Sequence, residues 1–213
     1  MVYNPYGVDT ELFQPATAAQ RRRQREALGL AETDFVGLFV GNVNPRKDVL
    51  SLVEAWIETA SLRPDTHWVL LVVGHYEPTS EYARWLNQRM ADVPDNARVC
   101  LLGARDDVPS IMNACDAYVS ASTAEGLGLA NVEAMASGLP VVCRHLAGIT
   151  DDMTHGDAVT GIRDWSPAAF AQEMDRMADP HRQQRCAADA RTIAVDRFAI
   201  SGRIQRLRAL CRA

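Results

Sequence analysis

The chain has 213 residues, of which 47% are hydrophobic and 23% are charged, and its formal net charge is -5. This length suits one domain with a sizeable core, and the composition is that of an ordinary globular protein. The negative balance argues against a broad nucleic-acid surface, which needs an excess of Lys and Arg. The apolar runs are too short to cross a bilayer, so the sequence predicts no transmembrane segment.

The amino terminus and the cysteines bear on where the protein works. No basic stretch followed by an apolar one opens the chain, so we expect no signal peptide. The cysteines are scattered and form no CxxC pair, which argues against a zinc site. We interpret them as reduced thiols of a cytoplasmic protein: Cys100, Cys115, Cys143, Cys186 and Cys211.

The first part of the chain predicts a loop followed by a basic helix. Residues 1–16 contain two prolines and a glycine without periodicity, which is typical of an extended or looped segment. A helical pattern then runs from Thr17 to Leu28 and ends at Gly29. We interpret its arginines mainly as a solvated helix face, with contact to an anionic membrane or an acceptor as the alternative: Arg21, Arg22, Arg23 and Arg25.

Strands then alternate with helices, and charged loops follow two of the strands. Apolar runs at 35–41, 67–74 and 98–102 predict buried strands separated by helices. Arg46 and Lys47 follow the first run, where a charged pair is poorly explained as packing; surface charge is the alternative. After the third run, Asp106 and Asp107 precede a short helix over 108–115. N-capping of this helix explains the two acids at least as well as contact with a ligand does.

The central segment, SASTAEGLGLANVEAMASGLPVVC at 120–143, predicts a strand, a glycine loop, a helix and a strand. Glu125 lies in the loop and Glu133 in the helix. The helix N-terminus favours a phosphate, and both carboxylates can accept hydrogen bonds from ligand hydroxyls. A nucleotide-sugar suits this arrangement, although glycine loops and paired acids also occur without a ligand.

The alternation of strands and helices predicts an α/β fold, with a Rossmann-like, doubly wound, mostly parallel sheet covered by helices on both faces. The last part of the chain adds two or three amphipathic helices, at 167–178, 181–199 and 201–212. Nothing in the spacing of their residues suggests catalysis.

The central segment also resembles the Glu-seven-Glu motif of retaining GT-B glycosyltransferases of group 1. The matching residues are Glu125-Gly126-Leu127-Gly128-Leu129, Glu133-Ala134-Met135-Ala136 and Gly138-Leu139-Pro140-Val141-Val142. The resemblance implies one half of a GT-B fold, namely the C-terminal, donor-binding domain at 17–213. Residues 1–16 resemble the linker before that domain, and the N-terminal acceptor domain is absent from this sequence.

The resemblance also implies roles for individual residues. Lys47 matches a lysine that contacts the donor diphosphate, and Glu125 and Glu133 match acids that bind the transferred sugar and the ribose. Asn42 stands where an Arg is expected, so Arg46 is a candidate replacement, and Asp48 replaces the usual glycine. We predict Lys47, Arg46 and Glu125 as catalytic. The predicted nucleotide-sugar site comprises Gly41, Asn42, Arg105, Asp107, Glu125, Gly126, Leu127, Gly128, Leu129 and Glu133.

The implied reaction is transfer of a hexose from a GDP- or UDP-linked donor, with retention of configuration and without a cofactor or required metal. The resemblance implies that the loop with Arg105, Asp106 and Asp107 borders the nucleobase, and a carboxylate there favours GDP slightly. The acceptor would be a glycan or lipid bound through the N-terminal domain. The alternatives are a stand-alone nucleotide-sugar binding module without transferase activity and a dinucleotide-dependent oxidoreductase. The last is disfavoured because no G-x-G-x-x-G follows the first strand.

Overall fold

The structure is a computed structural model that describes residues 7–126, 128–153 and 156–202. These residues form a parallel sheet with the strand order β3-β2-β1-β4-β5-β6. The strands are Phe35–Val40 (β1), Trp68–Val73 (β2), Ala97–Gly103 (β3), Ala117–Ser120 (β4), Val141–Arg144 (β5) and Val159–Ile162 (β6). The predicted α/β class is confirmed, and every strand pair in the described sheet is parallel.

One helix precedes the first strand, and the others connect successive strands or follow the last one. They are Ala18–Ala27 (α1), Val49–Leu62 (α2), Glu81–Met90 (α3), Val108–Met112 (α4), Leu129–Ala136 (α5), Thr150–Met153 (α6), Pro167–Met177 (α7) and Pro180–Ile193 (α8). The helix predicted over 108–115 ends early, and the one predicted over 181–199 becomes a π-helix at Ala194–Phe198. The helix predicted at 201–212 lies largely outside the described residues.

The sheet separates two hydrophobic cores, because alternate strand residues point to opposite faces. On one face Val36 and Leu38 of β1 pack in a core with Met135 of α5. On the other face Phe39 packs in a core with Trp56 of α2 and with residues of α3 and α7. Helices therefore cover both faces, as the alternation of elements predicts.

The strand order places a topological switch point between β1 and β4. From β1 the chain proceeds to β2 and β3 on one side, and then crosses to β4 on the other. The loops that leave the carboxyl ends of β1 and β4 consequently run to opposite faces and leave a crevice between them. Ligands of open α/β sheets bind in such a crevice.

The interpretation of the arginines of α1 as a solvated face is wrong for Arg21 and Arg25. The side chain of Arg25 is 1% exposed and donates hydrogen bonds to the backbone carbonyls of Ala31 and Ala114. Both arginines also pair with Asp116, which directly precedes β4. Ala114 and Asp116 lie about 90 residues away in the sequence, so the local pattern of α1 shows only a polar helix.

The segment before α1 packs against the end of the described chain. The Val8 N–H donates to the Phe198 carbonyl at 2.7 Å, and the Ile200 N–H donates to the Val8 carbonyl at 3.0 Å. Arg191 of α8 donates to the carbonyl of Phe13 at 2.8 Å. The predicted looped segment thus has fixed contacts with the domain over the residues that the structure describes.

Replacing Arg25 tests its structural role. Arg25→Met removes one of the two arginines that pair with Asp116 and leaves the carbonyls of Ala31, Asp34 and Ala114 without this buried donor, so we expect the free energy of unfolding to fall by about 3–5 kcal/mol. Arg22→Met is the matched control, because the Arg22 side chain is 68% exposed; its effect should stay within about 0.5 kcal/mol. Urea denaturation measures both, and equal effects would contradict the assignment.

Candidate functional site

Two loops at the switch point are joined by hydrogen bonds. The β1–α2 loop at 41–48 and the β4–α5 loop at 121–128 leave neighbouring strands of the sheet. The Arg46 carbonyl accepts hydrogen bonds from the Thr123 N–H at 2.9 Å and from the Thr123 hydroxyl at 3.1 Å. This connection sets the distance between the residues that the two loops carry.

The loops bring Lys47 and Glu125 into direct contact. Lys47 Nζ lies 2.6 Å from Glu125 Oε1, and each side chain is 15% exposed. The Lys47 backbone N–H donates to the Asn44 carbonyl and side-chain oxygen, both at 3.1 Å. Two predicted site residues separated by 78 positions therefore form an ion pair in the crevice.

A cavity of about 300 Å³ lies at this ion pair. Its wall contains the charged side chains of Lys47 and Glu125, the glycine loop and the first turn of α5. The lining residues are Lys47, Tyr118, Glu125, Gly126, Gly128, Leu129, Ala130 and Asn131. Five predicted site residues therefore share this cavity; Leu127 lies outside the described residues.

The amino-terminal end of α5 borders the cavity. Gly128 is the N-cap residue and has φ 62°, a left-handed conformation that favours glycine. Leu129, Ala130 and Asn131 of the first turn line the cavity. The first N–H groups of a helix have no partner within it and carry partial positive charge, so this end suits an anion.

Glu133 does not line the cavity, but its charge affects Tyr118, which does. Burial raises the pKa of the half-buried Glu133 carboxyl. The buried Tyr118 hydroxyl donates to the Val40 carbonyl at 3.3 Å. Burial is also the main cause that raises the pKa of Tyr118, and the charges of Glu125 and Glu133 raise it further. The charges of Glu125 and Glu133 thus affect the same hydroxyl, and Glu133 lies in the second turn of α5.

The residues after β1 have different surroundings. Gly41 leaves room for the lysine, because a Cβ atom there would lie 3.3 Å from Lys47 Cε. Asn42 is exposed and does not line the cavity. Arg46 donates to the Ala124 carbonyl at 3.0 Å and lies 3.8 Å from Glu125. Its role as a replacement for the expected Arg stays a prediction.

The predicted nucleobase residues lie on the loop after β3, apart from the cavity. Arg105 forms a bidentate ion pair with Asp107, with Nε 2.8 Å from Oδ1 and Nη2 2.7 Å from Oδ2. Asp107 occupies the N-cap position of α4 without capping it through its side chain. The Arg105 guanidinium lowers the pKa of the Asp107 carboxyl. Asp107 therefore does not cap α4 through its side chain, and its contact with a base stays a prediction.

Tyr118, Ala130 and Asn131 line the cavity but were not predicted from the sequence. Tyr118 lies inside an apolar strand pattern and therefore resembles an ordinary core residue. Asn131 and Ala130 belong to the first turn of a predicted helix at a glycine loop, which could have identified them. A further signal for Lys47 is compositional, since it is the single lysine among 22 basic Lys and Arg residues.

Sequence comparison identifies the family. The model of the family Glycosyl transferases group 1 matches residues 34–179 of the chain. The chain belongs to this family. The lipopolysaccharide core biosynthesis mannosyltransferase LpsB of Rhizobium meliloti is 32% identical over 159 residues, which are 74% of this chain and 44% of that protein. The chain spans less than half the length of the curated relatives compared with it.

Solved structures agree with this assignment. Anabaena HepE in complex with UDP is 26% identical, with a TM-score of 0.83, and the match covers 97% of this chain and 56% of that one. The C-terminal domain of the group 1 glycosyl transferase LpcC from Francisella tularensis has 24% identity and a TM-score of 0.75. That match covers 91% of this chain and 100% of the LpcC domain. The fold is that of a GT-B C-terminal domain.

Among the described residues, every helix is too short or too polar to span a bilayer. Within the same residues, His, Cys, Asp and Glu side chains do not gather in groups of three or more that could hold a metal ion.

The raised pKa of Glu133 predicts a pH dependence of stability. Between the ordinary glutamate value of about 4.3 and the raised folded value, the folded state binds more protons than the unfolded chain. The free energy of unfolding contributed by Glu133 therefore falls as pH rises through this window. Glu133→Gln removes the titration, so its stability relative to wild type should increase with pH across the window and then level off.

Urea denaturation at a series of pH values measures this difference. Glu26→Gln, on an exposed position of α1, controls for the loss of one carboxylate. A difference between Glu133→Gln and wild type that does not change with pH would contradict the burial of the ionised group.

Proposed function

We propose that this chain is the donor-binding domain of a retaining glycosyltransferase and binds a nucleoside-diphosphate sugar at the switch point. The observation that carries the proposal is the Lys47–Glu125 pair beside the amino-terminal end of α5. A cation, unpaired helix N–H groups and a carboxylate then face one cavity. These groups match a ligand with a phosphate anion next to sugar hydroxyls.

The diphosphate would replace Glu125 as the partner of Lys47. Cleavage of the sugar–phosphate bond develops negative charge on the departing diphosphate. Lys47 and the first N–H groups of α5 would stabilise that charge, and fixed donors of this kind lower the barrier because they need no reorganisation. Arg46, which lies 3.8 Å from Glu125, would add a second cation at the edge of the site.

Once released from Lys47, Glu125 would accept hydrogen bonds from the hydroxyls of the transferred hexose. Glu133 would bind the ribose diol from the second turn of α5, and Arg105 and Asp107 would border the base. Neither Glu125 nor Glu133 needs to act as a nucleophile. We infer that the leaving phosphate assists removal of the acceptor's proton, and that the configuration at the sugar is retained.

Transfer to an acceptor would require the part of the relatives that this chain does not match. The proposed acceptor is a glycan or a lipid. HepE, which is similar to this chain, has a structure with UDP.

The alternative of a binding module without transferase activity is favoured by Asn42, which stands where the family has an Arg. Sugar transfer by the longer enzyme would exclude that alternative.

Calorimetric titration tests the proposed ligand. UDP, GDP and ADP, each alone and as a sugar conjugate, are titrated into the chain beside uridine, guanosine and adenosine. We expect one diphosphate series to bind at least about tenfold more tightly than its nucleoside, because each charge-assisted hydrogen bond contributes about 1.5–3 kcal/mol. Equal binding of nucleoside and diphosphate, or no binding of either, would contradict the proposal.

Replacing Lys47 tests the cation itself. Lys47→Met should lower the affinity for the preferred diphosphate by about 10- to 150-fold and leave the nucleoside affinity unchanged, because only the phosphate interaction is lost. Arg185→Met is the matched control: it removes one positive charge from an exposed ion pair with Asp157. An unchanged diphosphate affinity in Lys47→Met would assign the cavity to another ligand.

A further inference from the structure

Asp48, which follows Lys47, has an unusual backbone conformation. Its φ is 50° and its ψ is 43°, and it is the only non-glycine residue with a positive φ in the part of the chain that the structure describes. Side chains with a Cβ atom disfavour this left-handed region, although Asp tolerates it better than most residues. Some interaction must therefore hold Asp48 in place.

The Asp48 carboxylate is held from two sides. Oδ2 accepts a hydrogen bond from Arg144 at 2.7 Å, and Oδ1 accepts a longer one from the Ser51 N–H at 3.4 Å in the first turn of α2. Asp48 is 19% exposed and Arg144 21%, so the pair is largely shielded from water. Among the described residues, Asp48 is the only carboxylate that pairs with Arg144.

Arg144 is itself fixed. It is the last residue of β5, and its guanidinium lies over the Trp165 ring at 4.9 Å from the centroid. The stacked ring and the end of the strand leave the guanidinium directed at Asp48. Arg144 does not line the cavity at Lys47, so its position indicates support of the loop and not contact with the ligand.

Three consecutive residues of the β1–α2 loop are thus attached to the neighbouring strands. Arg46 is bound through its carbonyl to Thr123, Lys47 is paired with Glu125, and Asp48 is paired with Arg144. The first two attachments reach the loop after β4, and the third reaches the end of β5. A change in the backbone angles of Asp48 would turn the peptide that it shares with Lys47.

We propose that the Asp48–Arg144 ion pair is a positioning device for Lys47. It holds a non-glycine residue in the left-handed conformation and so keeps the ammonium group beside Glu125 at the cavity. The inference rests on the proposed function for its effect on ligand binding, but its effect on Lys47 is independent of any ligand. Glycine adopts the left-handed conformation without the Cβ penalty, so Gly at this position would not need Arg144.

The single lysine allows a direct test without ligand. In protein labelled with [¹³C,¹⁵N]lysine, the Cε–Nζ correlation reports on Lys47 alone, because the chain has one lysine. We expect Arg144→Gln to shift or broaden this signal as Lys47 leaves Glu125. Arg185→Gln, which breaks an exposed ion pair instead, should leave the signal unchanged. A signal that Arg144→Gln does not change would overturn the proposal.

Binding of UDP and uridine supplies the second test. Arg144→Gln should weaken UDP binding by about tenfold, the equivalent of about 1.4 kcal/mol, and leave uridine binding unchanged. Adding Asp48→Gly to Arg144→Gln should restore most of the UDP affinity. A direct phosphate contact by Arg144 would not be rescued in this way, so a double variant as weak as Arg144→Gln would overturn the proposal.

A variant at Asp48 tests the same inference if Arg144→Gln does not fold. Asp48→Ala keeps the Cβ atom that disfavours the left-handed conformation but removes the carboxylate that binds Arg144, so it should change the lysine signal in the same way. An unchanged lysine signal in that variant would overturn the inference. If wild-type protein binds no nucleoside diphosphate, the proposed function fails, whereas the lysine signal still decides whether the ion pair positions Lys47.

Discussion

The Lys47–Glu125 ion pair is the interaction on which this site depends. Its two charges lie 2.6 Å apart and are mostly shielded from water, so neither can lose its partner without a replacement. A phosphate anion can replace the carboxylate beside Lys47, while sugar hydroxyls can donate to the released Glu125. A neutral ligand can offer hydrogen bonds to both groups but brings no opposite charge to Lys47. The pair therefore favours a ligand that carries both an anion and hydroxyls.

The parallel sheet makes this pairing possible. The carboxyl ends of β1 and β4 lie side by side at the switch point, so two loops that are distant in the sequence meet there. Gly41 leaves room for the lysine, the Thr123–Arg46 hydrogen bonds join the loops, and Asp48 reaches as far as β5. The same strand ends that build the sheet thus determine the distances within the site.

Local sequence patterns were sufficient for the class of fold and for the order of its elements. The βαβ unit around Glu125 and Glu133, the strand before Lys47 and the alternation of strands with helices are all short-range signals. The strand order is not, because it depends on pairing between distant segments. The Lys47–Glu125 contact joins residues 78 positions apart, and no periodicity within either loop indicates it.

The misinterpretation of α1 has the same cause. Arg25 lies in a helix whose own residues are mostly polar, which resembles a solvated face. The carboxylate and the carbonyl that bury it belong to Asp116 and Ala114, about 90 residues later, as the separations of 91 and 89 show. The sequence shows Asp48 in place of the usual glycine, but its left-handed backbone and its pairing with Arg144 are visible only in three dimensions.

The most direct measurement of the central claim is a crystal structure of the chain with UDP. The account predicts that a phosphate oxygen lies about 2.7–2.9 Å from Lys47 Nζ, in the range of charge-assisted hydrogen bonds. The phosphate should also face the first turn of α5, and Glu125 should be released from the lysine. UDP bound elsewhere, or bound beside an intact Lys47–Glu125 pair, would contradict the account.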